Sequence, residues 1–151
     1  MKSLRTLAAM TQVAKQFTRF VVVGASNTLL SLAVYLGLLA LGVPYPVAAA
    51  GGFVVGAANG YLLNRWWTFS APPASRRQVA AYLAVQVVGL LITVGVVDLL
   101  HGRAPVLVGQ AVAVPLATVA MFSLNRTWTF RAPARLARAE LAIDEEAQAH
   151  A

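Results

Sequence analysis

Two short segments of this chain carry the groups best suited to hold a charged ligand. Leu63-Asn64-Arg65-Trp66-Trp67-Thr68-Phe69 recurs 61 residues later as Leu124-Asn125-Arg126-Thr127-Trp128-Thr129-Phe130. A guanidinium offers a planar fork of donors that grips a phosphate through two parallel charge-assisted hydrogen bonds. Arg65 and Arg126 are therefore candidate phosphate ligands. Asn64 and Asn125 can add hydrogen bonds, and Trp67 and Trp128 can stack on a sugar or frame a portal. The same residue types also serve as plain interfacial anchors, with rings in the headgroup layer and guanidinium in water. A second polar set lies in otherwise apolar sequence. Asn27 and Ser31 share a helical face with Gly24, and 62 residues later Gln86 and Thr93 share one with Gly89. Such stripes either rim a cavity for a sugar or hydrogen-bond between helices. Asp98 can hydrogen-bond a sugar or carry a proton; alternatively it pairs with His101 or Arg103 at a helix end. The chain has no cysteine, and its long apolar blocks hold one acid, Asp98. No catalytic residue, metal ligand or cofactor is expected.

The elements that position these groups follow from composition. Of the 151 residues 59% are hydrophobic and 11% charged. An average soluble domain carries about 25% charged residues, so both a disordered chain and an ordinary soluble domain are excluded. Four apolar blocks stand out at 20–41, 45–63, 79–100 and 106–124. At about 1.5 Å per residue each crosses a hydrocarbon core of roughly 30 Å, and in lipid each must be helical. The reading is an all-α integral membrane protein with four transmembrane helices over residues 20–130. Eleven of the twelve Lys and Arg residues flank one side of this layout, and only Arg103 lies on the other. The positive-inside rule then makes both termini and the central loop cytoplasmic. The basic residues flank membrane helices rather than tracing a phosphate backbone, so nucleic acid is not an expected partner.

The repeats, at about 17–72 and 78–133, each comprise two helices and keep parallel orientation. This predicts a pseudo-twofold axis along the membrane normal. Gly52, Gly56 and Gly60 form a doubled small-residue ridge suited to close helix packing, within the bundle or in a homo-oligomer. Residues 1–19 read as a basic amphipathic helix suited to an anionic membrane surface, or simply as a basic topology signal. Residues 131–151 read as a tail that is first basic, then acidic and solvated.

Taken together, the residues around Arg19-Phe20-Val21-Val22-Val23-Gly24-Ala25-Ser26-Asn27-Thr28 and the repeated Asn-Arg-x-Trp-Thr-Phe resemble the GtrA-like family of small bacterial membrane proteins. The resemblance covers about residues 19–130. It implies a non-enzymatic role in cell-surface polysaccharide synthesis in the bacterial plasma membrane. The expected cargo is a polyprenyl-phosphate-linked monosaccharide, flipped between leaflets. The alternative it leaves open is a non-transporting anchor that recruits a glycosyltransferase partner.

The charge asymmetry generates a direct test. Single cysteines at Val43, Ala104 and Ala74 in this cysteine-free chain are expected to differ toward an impermeant thiol reagent applied to intact cells. Val43→Cys and Ala104→Cys should label and Ala74→Cys should be protected; the inverse pattern would reverse the orientation.

Overall fold

The computed structural model describes residues 2–71 and 73–131. The described chain is helical throughout: α1 (Lys2–Ala40), α2 (Tyr45–Leu63), α3 (Arg76–Leu100) and α4 (Val106–Leu124). A π-helical turn follows α2 at Asn64–Thr68, and a second follows α4 at Asn125–Thr129. Four segments are long and apolar enough to cross a membrane: Ala9–Ala40, Tyr45–Thr68, Arg76–Leu100 and Leu107–Thr129. Only 6–22% of their most apolar windows is buried inside the protein. Apolar surface on that scale has no place in water, and it makes this a multi-pass membrane protein whose outer face is the hydrophobic one.

The segment read as a separate basic helix at 1–19 is continuous with the first span. It forms the first half of a 39-residue rod, about 58 Å long at 1.5 Å per residue. No Gly or Pro precedes Gly24, and the Ala, Leu, Lys and Gln there all favour helix, so nothing breaks the backbone near Arg19. The arm joins the bundle at Phe17, whose ring meets Phe122 edge-on at 5.2 Å. The basic and acidic features read at 132–151 lie outside the described residues.

The helices pair as two hairpins, α1 with α2 and α3 with α4. Gly42 and Gly102 sit in the connecting turns with φ of 80° and 73°, conformations that a Cβ would strain. Pro44 and Pro105 then precede α2 and α4 with extended backbone. In the first hairpin Ala48, Gly52, Gly56 and Gly60 form a buried ridge, one residue per turn. A Cβ on Gly52 would stand 2.6 Å from the Ser31 carbonyl oxygen, and one on Gly56 would collide with the Ser31 hydroxyl. The backbones of α1 and α2 are therefore in contact, as the small-residue ridge predicts. In the second hairpin the corresponding ridge on α4 is Gly109, Ala113 and Ala117, all buried.

The hairpins join mainly at the end that bears the π turns. Offsets of 61 and 62 residues align Phe69 with Phe130, Tyr61 with Phe122 and Phe20 with Tyr82. Phe69 and Phe130 stack on each other at 5.1 Å and 16°. Around them the aligned pairs match. Phe20–Phe122 and Tyr82–Tyr61 lie at 5.7 and 5.5 Å. Phe20–Phe69 and Tyr82–Phe130 lie at 6.3 and 6.2 Å, and Phe69–Phe122 and Phe130–Tyr61 both at 5.9 Å. The Tyr61 hydroxyl adds a hydrogen bond to Gln78 Oε1 at 2.8 Å.

Gly56→Leu is expected to destabilise the protein by about 1–3 kcal/mol through overpacking against α1. Gly95→Ala, where a new Cβ meets nothing within 4 Å, should be neutral or slightly stabilising. Thermal unfolding in detergent compares the two, and equal melting temperatures would show that the ridge is not in contact.

Candidate headgroup site

Each Asn-Arg-x-Trp-Thr-Phe segment folds as one wide turn. The Phe69 amide donates to the Asn64 carbonyl at 2.9 Å, and the Phe130 amide to the Asn125 carbonyl at 2.8 Å. Both bonds span five residues, the π-helical spacing often found at functional sites. The first turn closes through Ser70, at φ 48°, and a bond from the Ala71 amide back to the Arg65 carbonyl. This winding sorts the side chains. Asn64, Thr68, Asn125 and Thr129 are buried, while Trp67, Trp128 and Arg126 are exposed and Arg65 is half-buried.

Helix α1 reaches both turns. Arg126 Nε donates to Gln16 Oε1 at 3.1 Å. Arg19 Nη1 donates to the Trp67 carbonyl at 2.8 Å, and its guanidinium lies 5.3 Å from the centre of the Trp67 ring. Sequence reasoning counted Arg19 only as a topological charge. Its position at the border of the first apolar block, like those of Arg65 and Arg126 at theirs, was the available signal. One face of Trp67 is thus taken by a cation–π contact, which leaves the other face and the Trp128 ring for a ligand.

Asn64 and Asn125, expected from sequence beside the arginines as phosphate ligands, are 3% and 0% exposed, each the inward-facing first residue of its turn. Asn64 hydrogen-bonds the Tyr82 hydroxyl. The aligned residue on α1 is Phe20, which has no hydroxyl, and both ends of the Asn125 amide are without a partner among the described residues. Asn64 Oδ1, Thr68 Oγ1 and Thr129 Oγ1 are unpaired too.

Below the turns a cavity of about 470 Å³ opens between α1, α3 and α4. Asn27, Thr28, Asn64, Tyr82, Gln86 and Thr118 supply its polar lining, and Phe20, Gly24 and Met121 are among its apolar walls. A second cavity, an open groove also of about 470 Å³, continues along α1 and α2 past Asn27, Thr28, Ser31, Tyr35, Ala49 and Gln86. Asn27 is held in place by Asn59, whose Nδ2 donates to Asn27 Oδ1 at 2.8 Å. Asn59 was missed from sequence, although it is a lone amide in an uncharged block. Of the four residues expected to rim one cavity, Asn27, Ser31 and Gln86 do so. Thr93 does not: it lies in a separate cavity of about 280 Å³ with Asp98, His101 and Gln110. The reason is distance, since seven residues separate Gln86 from Thr93, about 10 Å of helix rise. The Thr93 hydroxyl bonds back to the Gly89 carbonyl at 2.9 Å. Arg103 donates to the Leu99 carbonyl and so caps α3.

The orphaned Asn125 amide gives a prediction. Phe20→Tyr should supply the missing hydroxyl and stabilise the protein by about 0.5–1.5 kcal/mol, a gain that disappears in an Asn125→Ala background. A double-mutant cycle on thermal stability measures it, and zero coupling would mean that the two side chains do not meet.

Comparison with known proteins agrees with this architecture. A family model described as GtrA/DPMS, transmembrane domain, matches residues 19–130. The match begins at Arg19, ends at Phe130 and takes in both π turns and every cavity described above. The chain is also 30% identical over 118 residues to the uncharacterized membrane protein YngA of Bacillus subtilis (strain 168), covering 77% of this chain and 80% of that protein. By the extent of these matches, the chain belongs to the GtrA/DPMS transmembrane-domain family.

Proposed function

We propose that this protein moves a polyprenyl-phosphate-linked monosaccharide across the bacterial plasma membrane for cell-surface polysaccharide synthesis. The observation that carries the reading is the cavity under the first π turn, where Asn27, Asn64 and Gln86 are set among apolar walls. Polar groups at membrane depth are costly and mark substrate pathways. The phosphate of such a lipid is held at the cytoplasmic surface by Arg65 and Arg126, and Trp128 stands beside them as a stacking surface. The sugar enters the cavity while the prenyl chain stays in lipid. No covalent change is required of the protein, so it acts as a transporter and not as an enzyme. The two hairpins are parallel repeats about a pseudo-twofold axis, a reading supported by the matched ring separations around Phe69 and Phe130. A second reading, a membrane anchor for a glycosyltransferase, draws support from the arm of α1, which leaves Leu7 and Met10 exposed beyond the bundle.

Purified protein in liposomes is expected to transfer prenyl-phosphate sugars between leaflets without a partner. Failure of folded protein across a panel of hexose and pentose lipids would favour the anchor. Arg65→Gln and Arg126→Gln should each weaken lipid binding by roughly 1.5–3 kcal/mol, about tenfold to hundredfold. Lys at either position keeps the charge but loses the planar fork, so it should restore binding only in part. Full restoration by Lys, or wild-type affinity in both Gln variants, would leave the arginines as interfacial anchors.

A further inference from the structure

The two larger cavities share three lining residues, Asn27, Thr28 and Gln86. Along α1 the first cavity is lined between Phe20 and Thr28 and the second between Asn27 and Tyr35. From Phe20 to Tyr35 is about 22 Å of helix rise, most of a hydrocarbon core of roughly 30 Å. We infer that the two cavities form one water-filled path for the sugar headgroup, with Asn27 and Gln86 as its neck.

The inference deepens the flippase reading and rests on it for the identity of the cargo. The chemistry of the walls supports it. Each cavity is far larger than the ~30 Å³ that a water molecule occupies in the liquid, and the amides and hydroxyls set into its mainly apolar walls supply the partners that water needs. The neck draws one amide from each hairpin. Asn27 is tied to Asn59 on α2 and backed by Gly60, where a Cβ would collide with the Asn27 amide nitrogen. That wall is fixed within its own hairpin. Gln86 comes from α3, and the hairpins join chiefly through rings at the π-turn end, so the width of the neck follows how the hairpins lie against each other. Sugar hydroxyls crossing the neck exchange water for two amides that both donate and accept.

The test uses the cysteine-free chain in liposomes with a charged, water-soluble methanethiosulfonate. Thr28→Cys at the neck and Ala49→Cys in the second cavity are the path positions. Leu29→Cys, exposed like them but lining neither cavity, is the lipid-facing control. A thiol needs water to ionise and react, so both path cysteines should react about tenfold faster or more than the control, one pKa unit being tenfold in thiolate. A panel of prenyl-phosphate-linked hexoses and pentoses should slow that reaction. Bulky labelling of Ala49→Cys should block transfer, and labelling of Leu29→Cys should not. Path cysteines no faster than the control, or fast but unprotected by every lipid in the panel, would overturn the path. Transfer by the unlabelled wild-type protein is read separately: its absence counts against the flippase itself, whatever the labelling shows.

Discussion

The joint between the hairpins is the interaction on which everything else depends. Within each hairpin the helices lie close along their length, yet between hairpins the contacts gather at one end, around the stacked Phe69 and Phe130 rings. Ring pairs of this geometry contribute about 0.5–1.5 kcal/mol each beyond their area, and six of the eight ring pairs cross from one hairpin to the other. The joint fixes the depth of the π turns, and with it the side on which each arginine leaves the bundle. The first cavity opens beside it, at Phe20, Asn64 and Tyr82.

The two halves are alike in plan and different in detail, and the differences fall on the polar groups. Gly60 on α2 accommodates Asn27 of α1, while in the second hairpin Gly89 on α3 accommodates Met121 of α4. Under the repeat offsets Asn27 aligns with Gly89 and Gly60 with Met121, so knob and hole have changed sides. The first hairpin thereby gains an amide at mid-membrane where the second has a thioether. Tyr82 gives Asn64 one hydrogen bond, whereas Phe20 has no hydroxyl to offer Asn125. An apolar pair would fill either place at lower desolvation cost. The polar variants of the repeat collect along the cavity beside Asn27 and Gln86.

The π turns reconcile two demands at the membrane surface. The buried face of α2 runs on through the turn at steps of four, from Gly60 to Asn64 and Thr68, while Trp66 and Trp67 are exposed. The backbone bond from Asn64 to Phe69 closes this geometry, and the Phe is itself a member of the ring cluster. The outward arginines and the ring that docks the hairpins are therefore held by the same six residues in each repeat.

The sequence by itself determined what depends on local composition and period. Four runs too apolar for water had to be helices in lipid, the duplicated motif marked two equivalent ends, and glycines one turn apart at 52, 56 and 60 had to form one ridge. Only the tertiary structure decided which polar groups meet. Arg19 lies on Trp67 across 48 residues and Asn59 on Asn27 across 32, contacts set by how the helices pair. Asn64 lies four residues beyond Gly60, so its burial continues the ridge of Ala48, Gly52, Gly56 and Gly60; docking against α3 decided only its partner, Tyr82. The polar stripe on α3 was divided, Gln86 to the path and Thr93 to the pocket of Asp98, because residues on one helical face can still lie two turns apart in depth. Periodicity reports the face of a helix, and depth and partner are fixed only when helices distant in sequence dock.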